Sequence, residues 1–115
     1  MSITNFEEIT YDLTENELAL VNVLVAGFKR RAIDNPIKAP EIVDSMQKKG
    51  YDISEPRLRK LCNYIRSKGI IPLIATSKGY YISYDSVDIN KQIKSLRERA
   101  AAINKCADGL MKFIK

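Results

Sequence analysis

The chain has no histidine and no tryptophan, and only two cysteines, five glycines and four prolines in 115 residues. The missing histidine excludes a Ser-His-Asp or Cys-His catalytic pair and any zinc site built on imidazole. Two cysteines cannot form a four-thiolate site. Cys62 and Cys106 sit as small apolar residues within helical patterns, which fits a reducing compartment better than a disulfide scaffold. The glycines are isolated from one another, so there is no glycine-rich phosphate loop. Acidic residues are scattered, with Glu7-Glu8 the one adjacent pair. No catalytic group, metal set or cofactor site is expected, and the chain reads as a non-enzyme. The longest apolar stretch, Leu18 to Phe28, is interrupted by Asn22 and falls short of the roughly 20 residues that span a bilayer. The first residues are acidic, unlike a basic targeting segment. A soluble, cytoplasmic protein with no membrane partner is expected.

What is present suits one small domain. A hydrophobic fraction of 45% supports a modest core. The net charge is +5, from 19 basic and 14 acidic residues, and it is unevenly placed. Residues 1–36 carry −3, residues 37–84 carry +5 and residues 85–115 carry +3.

Residues 1–13 form a polar lead-in. Ile9, Tyr11 and Leu13 alternate with polar residues, as in a short strand. Thr14 and Glu17 then stand at capping-box spacing, which predicts a helix from Glu15 to Arg31 or Ala32, ended by Asn35-Pro36. Leu18, Val21, Val25 and Phe28 make one apolar face of this helix, and Leu20, Val23 and Leu24 cover most of the rest. Such a helix is expected to be buried on more than one side. Pro36-Ile37-Lys38 reads as extended. Pro40 opens a second helix carrying Ile42, Val43 and Met46, and Gly50 closes it. Ser54 caps a third helix, with Leu58, Leu61, Cys62 and Ile65 on its inner face and Gly69 at its end. From Ile70 to Ala75 and from Tyr80 to Tyr84 the pattern is strand-like around a Thr76–Gly79 turn, with Pro72 at an edge or strand start. By strand alternation at least one of Tyr80 and Tyr81 points inward, which weakens any role for these tyrosines in stacking bases. A long helix follows from about Ser86.

The segments Ile53-Ser54-Glu55-Pro56-Arg57-Leu58-Arg59-Lys60-Leu61, Ile65-Arg66-Ser67-Lys68-Gly69-Ile70 and Lys78-Gly79-Tyr80-Tyr81 carry a resemblance. Over residues 14–84 the chain resembles the winged helix-turn-helix family, and is most similar to small winged-helix proteins of bacteriophages and prophages. The resemblance implies a mainly α (α+β) fold with a capped recognition helix at about residues 55–68, a two-stranded wing and a helical tail. It also implies binding to double-stranded DNA, as a small transcriptional regulator or a replication-associated factor.

At 100° per residue, the side of the third helix opposite its apolar face carries Pro56, Lys60, Asn63 and Ser67, flanked by Arg59, Arg66, Arg57 and Tyr64. Glu55 falls at the margin of the buried face, so the outer side is free of acids. Arg and Lys suit guanine edges and Asn suits adenine. Arg57, Arg59, Lys60 and Asn63 are therefore expected near bases, and Tyr64, Arg66 and Lys68 near the DNA backbone. The Ser54 end of the helix points partial positive charge at a phosphate. Lys78, at the turn, is expected at a phosphate or in the minor groove.

In the last helix Ile89, Ile93, Leu96, Ala100, Ile103, Ala107, Leu110 and Ile114 are spaced alternately by four and three, a heptad seam. It is expected to pack within the chain or, as favoured here, in a homodimer. Arg97 and Arg99 flank the seam and would face like charges in a parallel pair, which favours an antiparallel arrangement or packing against the first helix of either subunit. Gly109 weakens the helix near its end. The alternative function is a protein-interaction adaptor with a protein partner, supported by the apolar first helix and the acidic start.

Overall fold

The computed structural model describes residues 13–114. Helix α1, Glu15–Phe28, starts as its cap demands. Thr14 Oγ1 accepts the Glu17 backbone N–H at 3.1 Å, and Thr14 N–H donates back to Glu17 Oε1 at 3.0 Å. The helix ends earlier than the spacing predicts. Beyond it the Arg30 and Arg31 N–H groups reach back only three residues, to Gly27 and Phe28. The Arg31 carbonyl then accepts the Ile82 N–H. The chain thus leaves the helix axis well before Pro36, and the Arg31–Ile82 bond ties it to the hairpin.

The buried face of α1 also differs from the expected one. It consists of Glu17, Leu20, Val21, Leu24 and Phe28, with Val23 and Val25 partly buried against it, whereas Leu18 is 43% exposed. The helix therefore has one inner face, rotated so that a carboxylate goes inside and Leu18 stays outside. The alternation at Ile9 and Tyr11 lies outside the described residues.

Helix α2, Ala39–Lys48, buries Ile42 and Met46, with Pro40 in its first turn. Helix α3, Glu55–Ser67, is capped by Ser54, whose hydroxyl accepts the Arg57 N–H at 3.3 Å. Its four expected apolar residues, Leu58, Leu61, Cys62 and Ile65, are at most 2% exposed and form the centre of the core. Burial pushes the Cys62 thiol up to about 12, against lowering by Arg66 and by a hydrogen bond with Tyr80. Such a thiol is inert as a nucleophile. Cys106, by contrast, is exposed.

Strands β1, Leu73–Thr76, and β2, Gly79–Ile82, form an antiparallel hairpin that pairs Leu73 with Ile82 and Thr76 with Gly79. Pro72 stands just outside β1, where its carbonyl accepts the Ser83 N–H. The second strand is shorter than expected, and Tyr84 beyond it is exposed. Leu73, Tyr80 and Ile82 face the core, with the Tyr80 ring 5.7 Å from that of Phe28. Ile74 and Tyr81, on the opposite face, are buried as well. The free edge of β2 pairs with Ile37 through two hydrogen bonds, of 3.0 and 2.7 Å.

The chain divides into two units after Tyr84. The second is helix α4, Ser86–Met111, capped by Asp85, whose carboxylate accepts the Val87 N–H. None of its residues is buried. It stops at Met111, with single three-residue turns from Gly109 onward, so Ile114 falls outside it. No helix among the described residues is long and apolar enough to cross a membrane. The first unit is a mainly helical α+β fold, and the chain closes with a long helix.

Gly79 joins the hairpin to Ile37. Its φ is +127°, and a Cβ there would stand 2.6 Å from the Ile37 carbonyl carbon and oxygen. Both the conformation and the space require glycine. Gly79→Ala is expected to lower unfolding stability by about 3 kcal/mol in a urea titration, combining a strained backbone with a forced opening of the bridge.

Candidate nucleic-acid interface

The polar side of α3 is organised by a residue of α1. Glu17 is 4% exposed and meets Lys60 Nζ at 3.0 and 3.1 Å through its two oxygens. Arg57 Nε lies 3.6 Å from Glu17 Oε2. Burial pushes the Glu17 carboxyl up. The Thr14 N–H, the Lys60 ammonium and the Arg57 guanidinium together outweigh burial and hold it below its ordinary value. Arg57 also reaches Asp52, donating from Nη1 to Oδ2 and to the backbone carbonyl, each at 3.2 Å. The first turns of α3 are thereby tied to the start of α1 and to the loop before α3.

This changes where the sequence placed several cations. Lys60 was expected on the outward face, but its side chain is only 18% exposed and lies on Glu17. Arg57 is half-buried between Glu17 and Asp52. Arg66 was expected near a DNA backbone. Its Nε donates to the Leu73 carbonyl at 3.2 Å, joining the end of α3 to β1. Tyr64 is partly buried against the core, and the Lys68 ammonium stands 5.9 Å from its ring centre. Glu55 is exposed in the first turn of α3, beside the Ser54 cap. An anion at the Ser54 end would meet that carboxylate.

Arg59 and Asn63 are partly exposed on the outward side of α3, and Ser54 and Lys68 are exposed at its two ends. Lys78 is exposed at the hairpin turn, with its backbone N–H held by Thr76 Oγ1. The structure thus brings Arg57 and Lys60 together around Glu17, leaves Ser54 capping α3 through the Arg57 N–H, and pairs Lys68 with Tyr64. Two participants, Glu17 and Asp52, escaped the sequence reading. The capping-box spacing marks Glu17 as a cap but says nothing of which cations lie across from it. No group of three or more potential metal-ligating side chains occurs among the described residues. No protein-family model, curated protein or solved structure matches the chain.

The Glu17 cluster predicts a pH dependence. The folded carboxyl titrates below its unfolded value of roughly 4.3, so its stabilisation is complete above that pH and disappears as pH falls through the folded value. Glu17→Gln keeps a side chain able to complete the capping box but removes the charge. In urea unfolding it is expected to be less stable than the parent by on the order of 2 kcal/mol at pH 7, with the gap narrowing as pH falls below the unfolded value and through the folded one. An equal gap at pH 7 and pH 3 would refute the assignment.

Proposed function

We propose that the chain is a sequence-specific double-stranded DNA-binding protein of the winged-helix kind, a small transcriptional regulator or a phage or prophage replication-associated factor. It acts as a homodimer. The observation that carries this reading is the position of α3. Its inner face is fixed by four buried apolar residues and its flank by the Glu17 ion pairs, while Arg59, Asn63 and Lys68 lie outward. A helix held this firmly presents its outer side chains in a constant register, which base reading requires.

Roles follow from the surroundings of each residue. Arg59 and Asn63 meet base edges. Lys68 and Lys78 are exposed, make no ion pair among the described residues, and meet phosphates. Arg57, Lys60 and Arg66 position α3 between α1 and the hairpin. Exposed Glu55 weakens phosphate binding at the Ser54 end and shifts backbone contacts toward Lys68 and the hairpin turn.

Helix α4 supports the dimer. Ile89, Ile93, Leu96, Ala100, Ile103, Ala107 and Leu110 form a continuous seam on a helix that buries nothing. Joining two copies doubles the phosphate contacts and sets two copies of α3 on a symmetric site.

Binding to random duplex, followed by fluorescence anisotropy, is expected to weaken roughly 10- to 100-fold between about 50 and 200 mM salt. Lys78→Ala removes one phosphate contact from each subunit and should lower the salt slope by about 2, and Arg59→Glu should remove selectivity for the preferred site. Absence of binding to any duplex at about 50 mM salt overturns the reading. Light scattering should give a mass twice the 13.1 kDa of one chain, falling to a single chain in Leu96→Lys.

A further inference from the structure

A groove of about 170 Å³ opens between the second half of α1 and α2. Its floor is apolar, with Leu24 and Phe28 on one side and Ile42 and Met46 on the other. An engineered apolar cavity of about 150 Å³ holds a benzene molecule, so this space suits one aromatic or branched side chain.

Gly27 lines the groove within α1. A Cβ there would meet nothing within 4 Å, and its φ is not positive. Alanine would fit and would favour the helix by about 1 kcal/mol. Neither crowding nor backbone conformation asks for glycine at this point.

The rim is cationic. Arg30, Arg31 and Lys49 line it, and no acidic residue does. Arg31 Nη1 donates to Asn35 Oδ1 at 3.0 Å. Arg30 and Lys49 make no side-chain hydrogen bond or ion pair among the described residues. Both helices end beside the groove, and each helix end carries only about half a negative charge, so the two offset about one of the three cations. The surplus is larger than one carboxylate on a small ligand neutralises.

We propose that this groove docks an acidic peptide segment of a protein partner, which seats one aromatic or branched apolar side chain on the floor and sets two or more carboxylates against Arg30, Arg31 and Lys49. The site uses neither α3 nor α4, so it stands apart from the DNA-binding reading.

The test titrates the full chain into a labelled peptide carrying one Phe between two pairs of Glu, followed by anisotropy at about 50 mM salt. Saturable binding is expected. It should weaken at least about tenfold in the double variant Arg30→Glu/Lys49→Glu, in Gly27→Leu, and with a peptide carrying Ala in place of Phe. Arg30 and Lys49 are exposed, so the charge-reversed variant decides the matter even where Gly27→Leu fails to fold. Lack of saturable binding, or unchanged affinity in the folded variants, overturns the proposal. A free phenylalkyl carboxylate that binds as tightly as the peptide also overturns it. Duplex binding by Gly27→Leu should match the parent, so failure of this site and failure of the DNA reading are separately visible.

Discussion

A single buried carboxylate sets the geometry of the first unit. Glu17 completes the cap of α1, and the same side chain neutralises Lys60 and draws in Arg57. Burying a lone carboxylate costs several kcal/mol, so it is tolerated only with partners in place. Those partners come from a helix more than forty positions away in sequence, since Lys60 is separated from Glu17 by 43 residues. The requirement therefore fixes how α3 crosses α1, which apolar packing alone would leave free to slide. Packing and charge agree. Leu20, Val21 and Leu24 lie on the same face of α1 as Glu17 and meet the inner face of α3.

A second long-range tie works through backbone groups. Ile37 pairs with Tyr80, the Arg31 carbonyl with Ile82, and Arg66 with the Leu73 carbonyl. These four bonds hold the hairpin against the end of α1, the segment before α2 and the end of α3. Gly79 is where that arrangement tolerates no side chain. A hairpin of two four-residue strands would be marginal by itself, and the extra pairing and the Phe28–Tyr80 contact are what anchor it.

Much of this is legible in the residues, and the misses have a common cause. The inner face of α3, its Ser54 cap, the Thr14–Glu17 box and the hairpin turn follow from local spacing, because capping and helical periodicity are local physics. The buried face of α1 did not follow, because hydropathy ranks Leu18 inside and Glu17 outside. The Thr14 N–H and the cations of α3 together reverse that order. The end of α1 differs as well, since the Arg30 and Arg31 N–H groups turn to Gly27 and Phe28, three residues back, and no local signal announces that change. The outward cations of α3 were over-counted in the same way. A helical wheel locates Lys60 and Arg57 by angle but not by what stands opposite, and here two of the expected readers serve as structural counter-charges.

The long helix obeys different physics. None of the residues of α4 is buried, whereas most helices are held in place chiefly by packing of an apolar face. Its length helps, since 26 residues exceed the roughly 12–15 at which an isolated helix is marginal, and the run Ala100-Ala101-Ala102 has the highest intrinsic propensity available. Propensity does not explain the apolar seam, however. Solvent-facing isoleucine and leucine at every heptad step add nothing to an isolated helix and invite association. In the proposed homodimer a second copy would resolve that conflict by covering the seam, and Ala100 and Ala107 would let the two backbones approach closely. In the homodimer proposed here, the stability of α4 and the pairing of the DNA-reading helices come from the same contact, so weakening the seam loosens both together.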